Sequence, residues 1–160
     1  MSKMNWKLRL TGILVACALG LVAWKFAAAT SGSGIITTIV SGPVVLLDSK
    51  VKSESEINKV EIENEGFSDV WVVHNRIAAG GHTGWHSHPG PSIISVKSGQ
   101  VTEEHADGST HLHDAGTSFL EPANKVHIMR NLGTAELELV AVQILPLGAP
   151  RRIDAPAPAP

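Results

Sequence analysis

Two histidines spaced two residues apart, His86 and His88, lie in a part of this chain that reads as a β-strand. Side chains at positions i and i+2 of a strand point to the same face, so both imidazoles would project to one side of the sheet. A third histidine, His127, lies in a second strand-like run, KVHIMRN. If the two strands face each other, the three imidazoles converge and provide most of a metal site.

A site of three histidines would hold a divalent transition metal. Neutral imidazole is a ligand for several such ions, and affinity by itself does not choose between Fe, Zn, Ni, Cu and Mn. Three protein ligands leave coordination positions open for a small molecule, as in catalytic sites and unlike closed structural ones. The histidines therefore predict a metal centre that binds a small-molecule ligand or substrate.

The residues around the first two histidines follow a fixed pattern. Gly80 is followed by five residues, then by His86-Ser87-His88, then after three more residues by Ser92, and after six more by Gly99. The residues around the third histidine are patterned as well. Five residues separate Gly116 from Pro122-Ala123-Asn124, and His127 and Asn131 follow at fixed distances.

In order and spacing, these two strings resemble the two conserved motifs of the cupin family. The resemblance implies an all-β fold, a single jelly-roll β-barrel, with His86, His88 and His127 as metal ligands. Two positions depart from the family pattern: Ser92 stands where an acidic ligand is expected, and Asn124 replaces a turn glycine. Asparagine tolerates a positive φ better than most residues, so the second departure is mild. The first removes a ligand.

Cupins with three histidines and no acidic ligand include iron enzymes that use dioxygen. The resemblance thus implies a metal-dependent dioxygenase acting on a small organic substrate as one function. The alternative is a module that binds a metal or small ligand without turnover. The sequence leaves both open, since one fold hosts many functions.

Two residues are candidates for assisting the site, Ser92 and Glu121. The serine hydroxyl is a poor ligand for a transition metal and suits a hydrogen bond to bound water or substrate. Glu121 immediately precedes Pro122 and is the candidate replacement carboxylate, with a surface-facing side chain as the alternative. Glu103 and Glu104 are adjacent in a predicted strand, so their side chains point to opposite faces and one of them should face inward. There it would accept a hydrogen bond from a ligand histidine.

The other histidines have less specific interpretations. His82 lies on the loop that enters the first motif, where a solvent-facing side chain is the simple alternative to a place at the pocket mouth. His111 and His113 form a second pair of histidines two residues apart, but no motif supplies a third ligand. A second metal site is therefore not the favoured interpretation of this pair. His74 and His105 lie in strands without a local partner, and we expect them to be structural or exposed.

The amino terminus carries a basic segment followed by an apolar run, Leu10–Trp24, and then Ala27-Ala28-Ala29. These are the features of a secretory signal peptide with cleavage after Ala29. A membrane-spanning helix needs roughly 20 apolar residues, so an uncleaved hydrophobic helix over residues 8–29 is the alternative. Cys17 sits in a segment that looks like a lipobox, although apolar residues continue after it. All three interpretations place the protein in the periplasm, outside the cell or at the outer side of the inner membrane.

The remaining chain divides into a linker at 30–34, one β-barrel domain at 35–150 and a Pro/Ala-rich tail at 151–160 that we expect to be disordered. Many short β-rich runs separated by turn residues indicate an antiparallel barrel or sandwich, in agreement with the resemblance. Ser98-Gly99 and Asp107-Gly108 are predicted hairpin-like turns, and the strict alternation from Glu136 to Val140 predicts a strand. The net charge of −2 and the scattered basic residues argue against a nucleic-acid partner. Contact with a membrane is expected only through the N-terminal segment, and a symmetric homodimer is the default assembly.

Overall fold

The structure is a computed structural model that describes residues 28–159. Over these residues the chain is all-β and contains no helix. The strands are β1 (Ser33–Leu46), β2 (Ser49–Glu54), β3 (Lys59–Asn64), β4 (Ser68–His82), β5 (His86–Ser87), β6 (Ser92–Ser98), β7 (Gln100–His105), β8 (Thr110–Asp114), β9 (Ser118–Glu121), β10 (His127–Arg130), β11 (Leu137–Pro146) and β12 (Ile153–Asp154).

Ten of these strands form one antiparallel sheet that curls into a nearly closed barrel, while β2 and β3 form a separate hairpin. One wall of the barrel has the strand order β1-β4-β11-β6-β9. The other has the order β12-β5-β10-β7-β8. The two walls join where Arg130 of β10 pairs with His82 of β4. The prediction of an all-β barrel is confirmed.

Strand β11 shows how the sequence pattern positions the core. Its side chains alternate strictly between buried and half-buried from Leu137 to Leu145. Because successive side chains of a strand point to opposite faces, the buried set lines the barrel interior. The core consists of apolar residues from both walls: Val73, Ile77, Ile94, Val96, Val101, Met129, Leu137, Leu139 and Ala141. This core fills one part of the barrel and leaves the histidines at another.

The two predicted tight turns have different outcomes. The Asp107-Gly108 turn joins β7 and β8, which pair along their full length from Gln100–Asp114 to Glu104–Thr110. The Ser98-Gly99 turn does not form a hairpin, because β6 pairs with β11 and β9 whereas β7 pairs with β10 and β8. Here the chain passes from one wall of the barrel to the other, with Gly99 at φ +80°.

Parts of both ends of the domain contact the barrel, whereas the sequence analysis predicted a linker and a disordered tail there. In the linker segment, Thr30 accepts a hydrogen bond from the backbone N–H of Trp85 at 2.6 Å. In the tail, Ile153 and Asp154 pair with β5, and Ala155 is buried against Trp85. The tail joins the barrel because the edge of β5 and the indole of Trp85 would otherwise be exposed.

The predicted signal peptide or membrane anchor falls almost entirely outside the described residues. Its last residue, Ala29, forms a bridge with Pro156. Across residues 28–159, no helix is both long and apolar enough to cross a membrane.

Candidate metal centre

The three histidines predicted as metal ligands meet inside the barrel. His86 on β5 and His127 on β10 are directly opposed partners, so their side chains share one face of the sheet. His88 follows immediately after β5, and all three side chains are buried. Their ligating nitrogens lie within 4.8 Å of one another. Three buried histidines this close together fit a metal site.

Hydrogen bonds fix which nitrogen of each ring points into the site. Each Nδ1 contacts a main-chain carbonyl oxygen, which can only accept a hydrogen bond. The contacts are His86 Nδ1 with Gly84 O at 2.8 Å, His127 Nδ1 with Lys125 O at 3.1 Å, and His88 Nδ1 with the carbonyl of Arg151. In neutral His86 and His127, Nδ1 therefore carries the proton and Nε2 keeps its lone pair. His88 Nδ1 also lies 3.1 Å from Gln143 Nε2, but its shorter contact with the carbonyl of Arg151 favours the same tautomer. A metal ligand needs this tautomer, held by such an outer contact.

Glu121 adds a carboxylate to the three imidazoles. Its side chain is 2% exposed, so the alternative of a surface-facing Glu121 is wrong. Its Oε1 lies 3.0 Å from His127 Nε2, and its Oε2 lies 4.0 Å from His88 Nε2. Among the described residues, neither carboxylate oxygen nor His127 Nε2 has a hydrogen bond of acceptable geometry. Two adjacent ligands of one metal, each about 2.1 Å from it, lie roughly 3 Å apart, which matches this close but unbonded contact.

Burial and charge set the protonation states of the metal-free site. Burial, with the charges of His127 and Arg152 adding to it, lowers the pKa of His86 to about 2. Burial also lowers the pKa of His88. Both imidazoles are therefore neutral at neutral pH, which is the form that binds a metal.

His127 and Glu121 behave as a coupled pair in the metal-free protein. Burial alone would lower the pKa of His127, but the adjacent Glu121 carboxylate outweighs it and raises this pKa above its ordinary value. Burial alone would raise the pKa of Glu121, but contact with His127 outweighs it and lowers this pKa. A proton on His127 thus balances the buried carboxylate until a cation replaces it.

Ser92 lies beside this carboxylate. It is the first residue of β6, it is fully buried, and it is the direct cross-strand partner of Glu121 on β9. The side chain of Ser92 therefore points to the same inner face as the site, although prolines lie on either side of Gly90 just before it. Its hydroxyl has no hydrogen-bond partner among the described residues.

A cavity of about 80 Å³ adjoins the histidines. Its polar end is formed by His86, His88, Glu121 and Gln143, and its apolar wall includes Val73, Ile94, Met129 and Leu139. An engineered apolar cavity of about 150 Å³ binds benzene, so this smaller space limits a ligand to a small molecule. The buried histidines and the adjoining cavity form one site inside the β-barrel.

Residues 73–143 match the family model of the cupin domain. This segment contains all three histidines, and the match supports the cupin superfamily to which the two motifs pointed. The positive φ of Asn124, +59°, shows that the asparagine of the second cupin motif adopts the conformation for which the motif uses glycine. That departure is conservative, whereas Ser92 supplies no carboxylate and Glu121, its cross-strand partner, lies beside the histidines.

The chain is similar to several solved structures. One is an uncharacterised conserved protein with a double-stranded β-helix domain from Klebsiella pneumoniae, 25% identical with a TM-score of 0.49, over 54% of this chain and 75% of that one. Another is a cupin domain from Bordetella pertussis, 26% identical with a TM-score of 0.44, over 62% of this chain and 96% of that one. A cupin superfamily protein from Desulfitobacterium hafniense is 11% identical with a TM-score of 0.48, over 69% and 77% of the two chains. A comparison with curated proteins gives no match.

The second pair of histidines does not join the metal centre. His113 Nε2 contacts the Glu103 carboxylate at 2.9 Å, and its ring stacks on Phe119 with centroids 3.6 Å apart. Glu103 also contacts His105 at 3.2 Å. Glu103 faces inward as parity predicted, but the prediction that it supports a ligand histidine is wrong, because main-chain carbonyls fill that role. His82 instead accepts a hydrogen bond from the N–H of Gly84.

Several polar residues of the cavity were missed by the sequence reasoning, among them Gln143, Arg151 and Arg152. Gln143 lies on the buried face of β11, and its position in the strict alternation of that strand was the available signal. The two arginines come from the segment predicted to be disordered. No local pattern indicates that this segment returns to the metal centre.

Proposed function

We propose that this protein is a metal-dependent enzyme, an oxidoreductase of the dioxygenase kind that acts on a small organic substrate. The observation that carries the proposal is the convergence of His86, His88, His127 and Glu121 beside a small cavity. The three histidines lie close enough to share one metal ion, and among the described residues the Glu121 oxygens and His127 Nε2 have no hydrogen bond of good geometry, as expected of ligands. A divalent transition metal bound there would supply Lewis-acid and redox chemistry.

The residues of the chain have separate roles in this proposal. The main-chain carbonyls that accept from each Nδ1 keep the three imidazoles in the ligating tautomer. Glu121 supplies one negative charge, which compensates part of the charge of a divalent cation. The hydroxyl of Ser92, next to Glu121, is placed to donate a hydrogen bond to this carboxylate or to a small molecule in the cavity.

The surroundings of the site favour chemistry away from bulk water. The histidines and Glu121 are buried, and the adjoining wall is formed by core side chains such as Ile94 and Leu139. Exclusion of water strengthens electrostatic interactions and limits side reactions. Four protein ligands also leave two positions of an octahedral metal open, enough for a substrate and a second small molecule.

The alternative function is a cupin that binds a metal or small ligand without turnover. The small cavity, about 80 Å³, supports this alternative, because little space remains for a substrate and a co-reactant together.

Metal analysis of the purified protein, followed by oxygen uptake with diketones, thiols and phenols, separates the enzyme from the binding module. Oxygen uptake that depends on the metal and is lost in His127→Ala supports the enzyme. A metal-loaded protein inactive across the panel favours the binding module.

We also propose that the domain lies outside the cytoplasm, in the periplasm or held at the inner membrane. The basic and apolar segments at the amino terminus support this location. The intact mass of the native protein tests it. A mass that corresponds to cleavage after Ala29 supports secretion, the full-length mass in a membrane fraction supports an anchor, and a lipid adduct on Cys17 supports a lipoprotein. A full-length soluble cytoplasmic protein would contradict the proposal.

A further inference from the structure

Two arginines, Arg151 and Arg152, line the same cavity as the candidate metal ligands. They are brought there by strand β12, because Ile153 pairs with Ser87, the residue between two of the ligands. The C-terminal segment therefore places two positive charges at a fixed position beside the metal centre.

Arg151 is held in place by three contacts. Its guanidinium carbon lies 5.6 Å from the centroid of the Trp71 ring, within the range of a cation–π interaction. Its Nη1 donates to Gln143 Oε1 at 3.3 Å, and its main-chain carbonyl accepts from His88. Arg151 is thus a rigid part of the cavity wall.

Arg152 is more accessible. Its side chain is 30% exposed, and its ion-pair partner among the described residues is Asp154, which contacts the Nε atom. A guanidinium carries five N–H donors, so the two Nη groups remain for a further acceptor.

The charge balance of the cavity favours an anion. The guanidinium groups of Arg151 and Arg152 are balanced by the carboxylates of Glu121 and Asp154. A divalent cation on the three neutral imidazoles would then leave an excess of two positive charges. Buried positive charge without a counter-ion is costly, so a bound anion would be stabilised there.

The apolar side chains that line the cavity favour contact with carbon. Val73, Ile94 and Leu139 offer no hydrogen-bonding group, so they would pack against an apolar part of a ligand. An inorganic anion such as phosphate would leave this wall without a partner. Arginine binds carboxylates through two parallel hydrogen bonds, which adds geometric selection to the charge.

We propose that the substrate of this site is a small organic carboxylate, whose carboxylate group binds Arg152 and whose carbon skeleton packs on the apolar wall. This inference rests on the proposed function, because it names the substrate class of the same metal centre. The cavity volume limits the substrate to a small molecule.

Calorimetric titration of the full-length, zinc-loaded protein tests the inference. The probes are butyrate, its uncharged analogue butyramide, and inorganic phosphate. The proteins are the wild type, Arg152→Gln, Arg152→Lys and a matched control, Arg76→Gln, whose arginine pairs with Glu136 outside the cavity. We expect butyrate to bind more tightly than the other two probes, and Arg152→Gln to weaken it at least tenfold. Arg152→Lys should weaken it less, and Arg76→Gln should not change it.

Two results would overturn the inference. One is equal binding of butyrate to the wild type and Arg152→Gln at equal zinc content. The other is binding of phosphate or butyramide as tight as that of butyrate. Either result would leave the proposed metal-dependent function intact, because zinc content is measured on the same samples. If the wild type retains no zinc, the proposed function fails. The inference is then tested by titrating the metal-free wild type and Arg152→Gln with butyrate, and equal binding to the two proteins would overturn it.

Discussion

Ser92 and Glu121 are direct cross-strand partners on β6 and β9, and both side chains are buried on the inner face of the barrel. The Cβ atoms of directly opposed residues in an antiparallel pair lie about 4.5–5.5 Å apart. The carboxylate missing from position 92 of the first motif is therefore present one strand away. The following predictions test this relationship and its consequences.

Replacement of Glu121 by Gln should weaken metal binding roughly 10–100-fold, because the site loses its anionic oxygen donor. Zinc affinity measured by competition with a chelator checks this. The matched control is Glu104→Gln, which removes a partly exposed carboxylate paired with Arg130. Equal affinities of Glu121→Gln and the wild type would show that Glu121 does not contact the metal.

An exchange of the two partners should preserve the site. Glu121→Ser alone should lose metal affinity, and the double variant Ser92→Glu/Glu121→Ser should recover most of it, since the carboxylate enters the same interior from the neighbouring strand. Ser92→Glu alone should be destabilised, because two buried carboxylates would then adjoin each other. Zinc affinity and the thermal midpoint of the three variants provide the readouts. No recovery in the double variant would contradict the equivalence of the two positions.

The pKa of His127 in the metal-free protein should lie above the ordinary value of about 6.5, because Glu121 stabilises the imidazolium. Protons should therefore compete with the metal from above pH 6.5 downward, and zinc binding near neutral pH should release protons. An NMR titration of the His127 ring checks the pKa directly. In Glu121→Gln this pKa should fall, because burial then acts unopposed. A wild-type pKa below 6.5 would contradict the pairing.

The metal-free protein should lose stability in mild acid through His86. Its pKa is lowered to about 2 in the folded state, whereas the unfolded side chain titrates near 6.5. Below pH 6.5 the unfolded state binds one more proton at this residue than the folded state does. The contribution of His86 to the free energy of unfolding therefore decreases by about 1.4 kcal/mol for each unit by which the pH falls. Urea unfolding between pH 4.5 and 7 measures the slope. His86→Asn should have a slope shallower by about that amount, and an unchanged slope would disprove the assignment.

Removal of residues 153–160 should destabilise the barrel, because Trp85 and Ile128 lose the cover of Ala155. Exposure of one large apolar side chain costs about 1.5–3 kcal/mol, which sets the expected decrease in the free energy of unfolding. Removal of residues 157–160 alone is the control and should have little effect. Equal stability of both truncated forms would show that the β12 pairing contributes nothing.

Local sequence patterns predict much of the fold and part of the site. The alternation from Glu136 to Val140 and the turn at Asp107-Gly108 are local patterns, and strand β11 and the β7–β8 hairpin form where these patterns predict them. The Ser98-Gly99 turn has equally good local chemistry but joins two walls of the barrel. Turn residues specify a change of direction, whereas the pairing of the flanking strands depends on distant partners.

The sequence by itself determined the three histidines, since the spacing of His86 and His88 and the second motif around His127 are local features of two strands. Only the tertiary structure decided that the carboxylate of Glu121 lies beside these histidines, because this depends on the register between β6 and β9. It also decided that Arg152 lies beside the metal centre, through the pairing of β12 with β5. Cross-strand register is set by the closure of the whole barrel, and no short stretch of sequence contains that information.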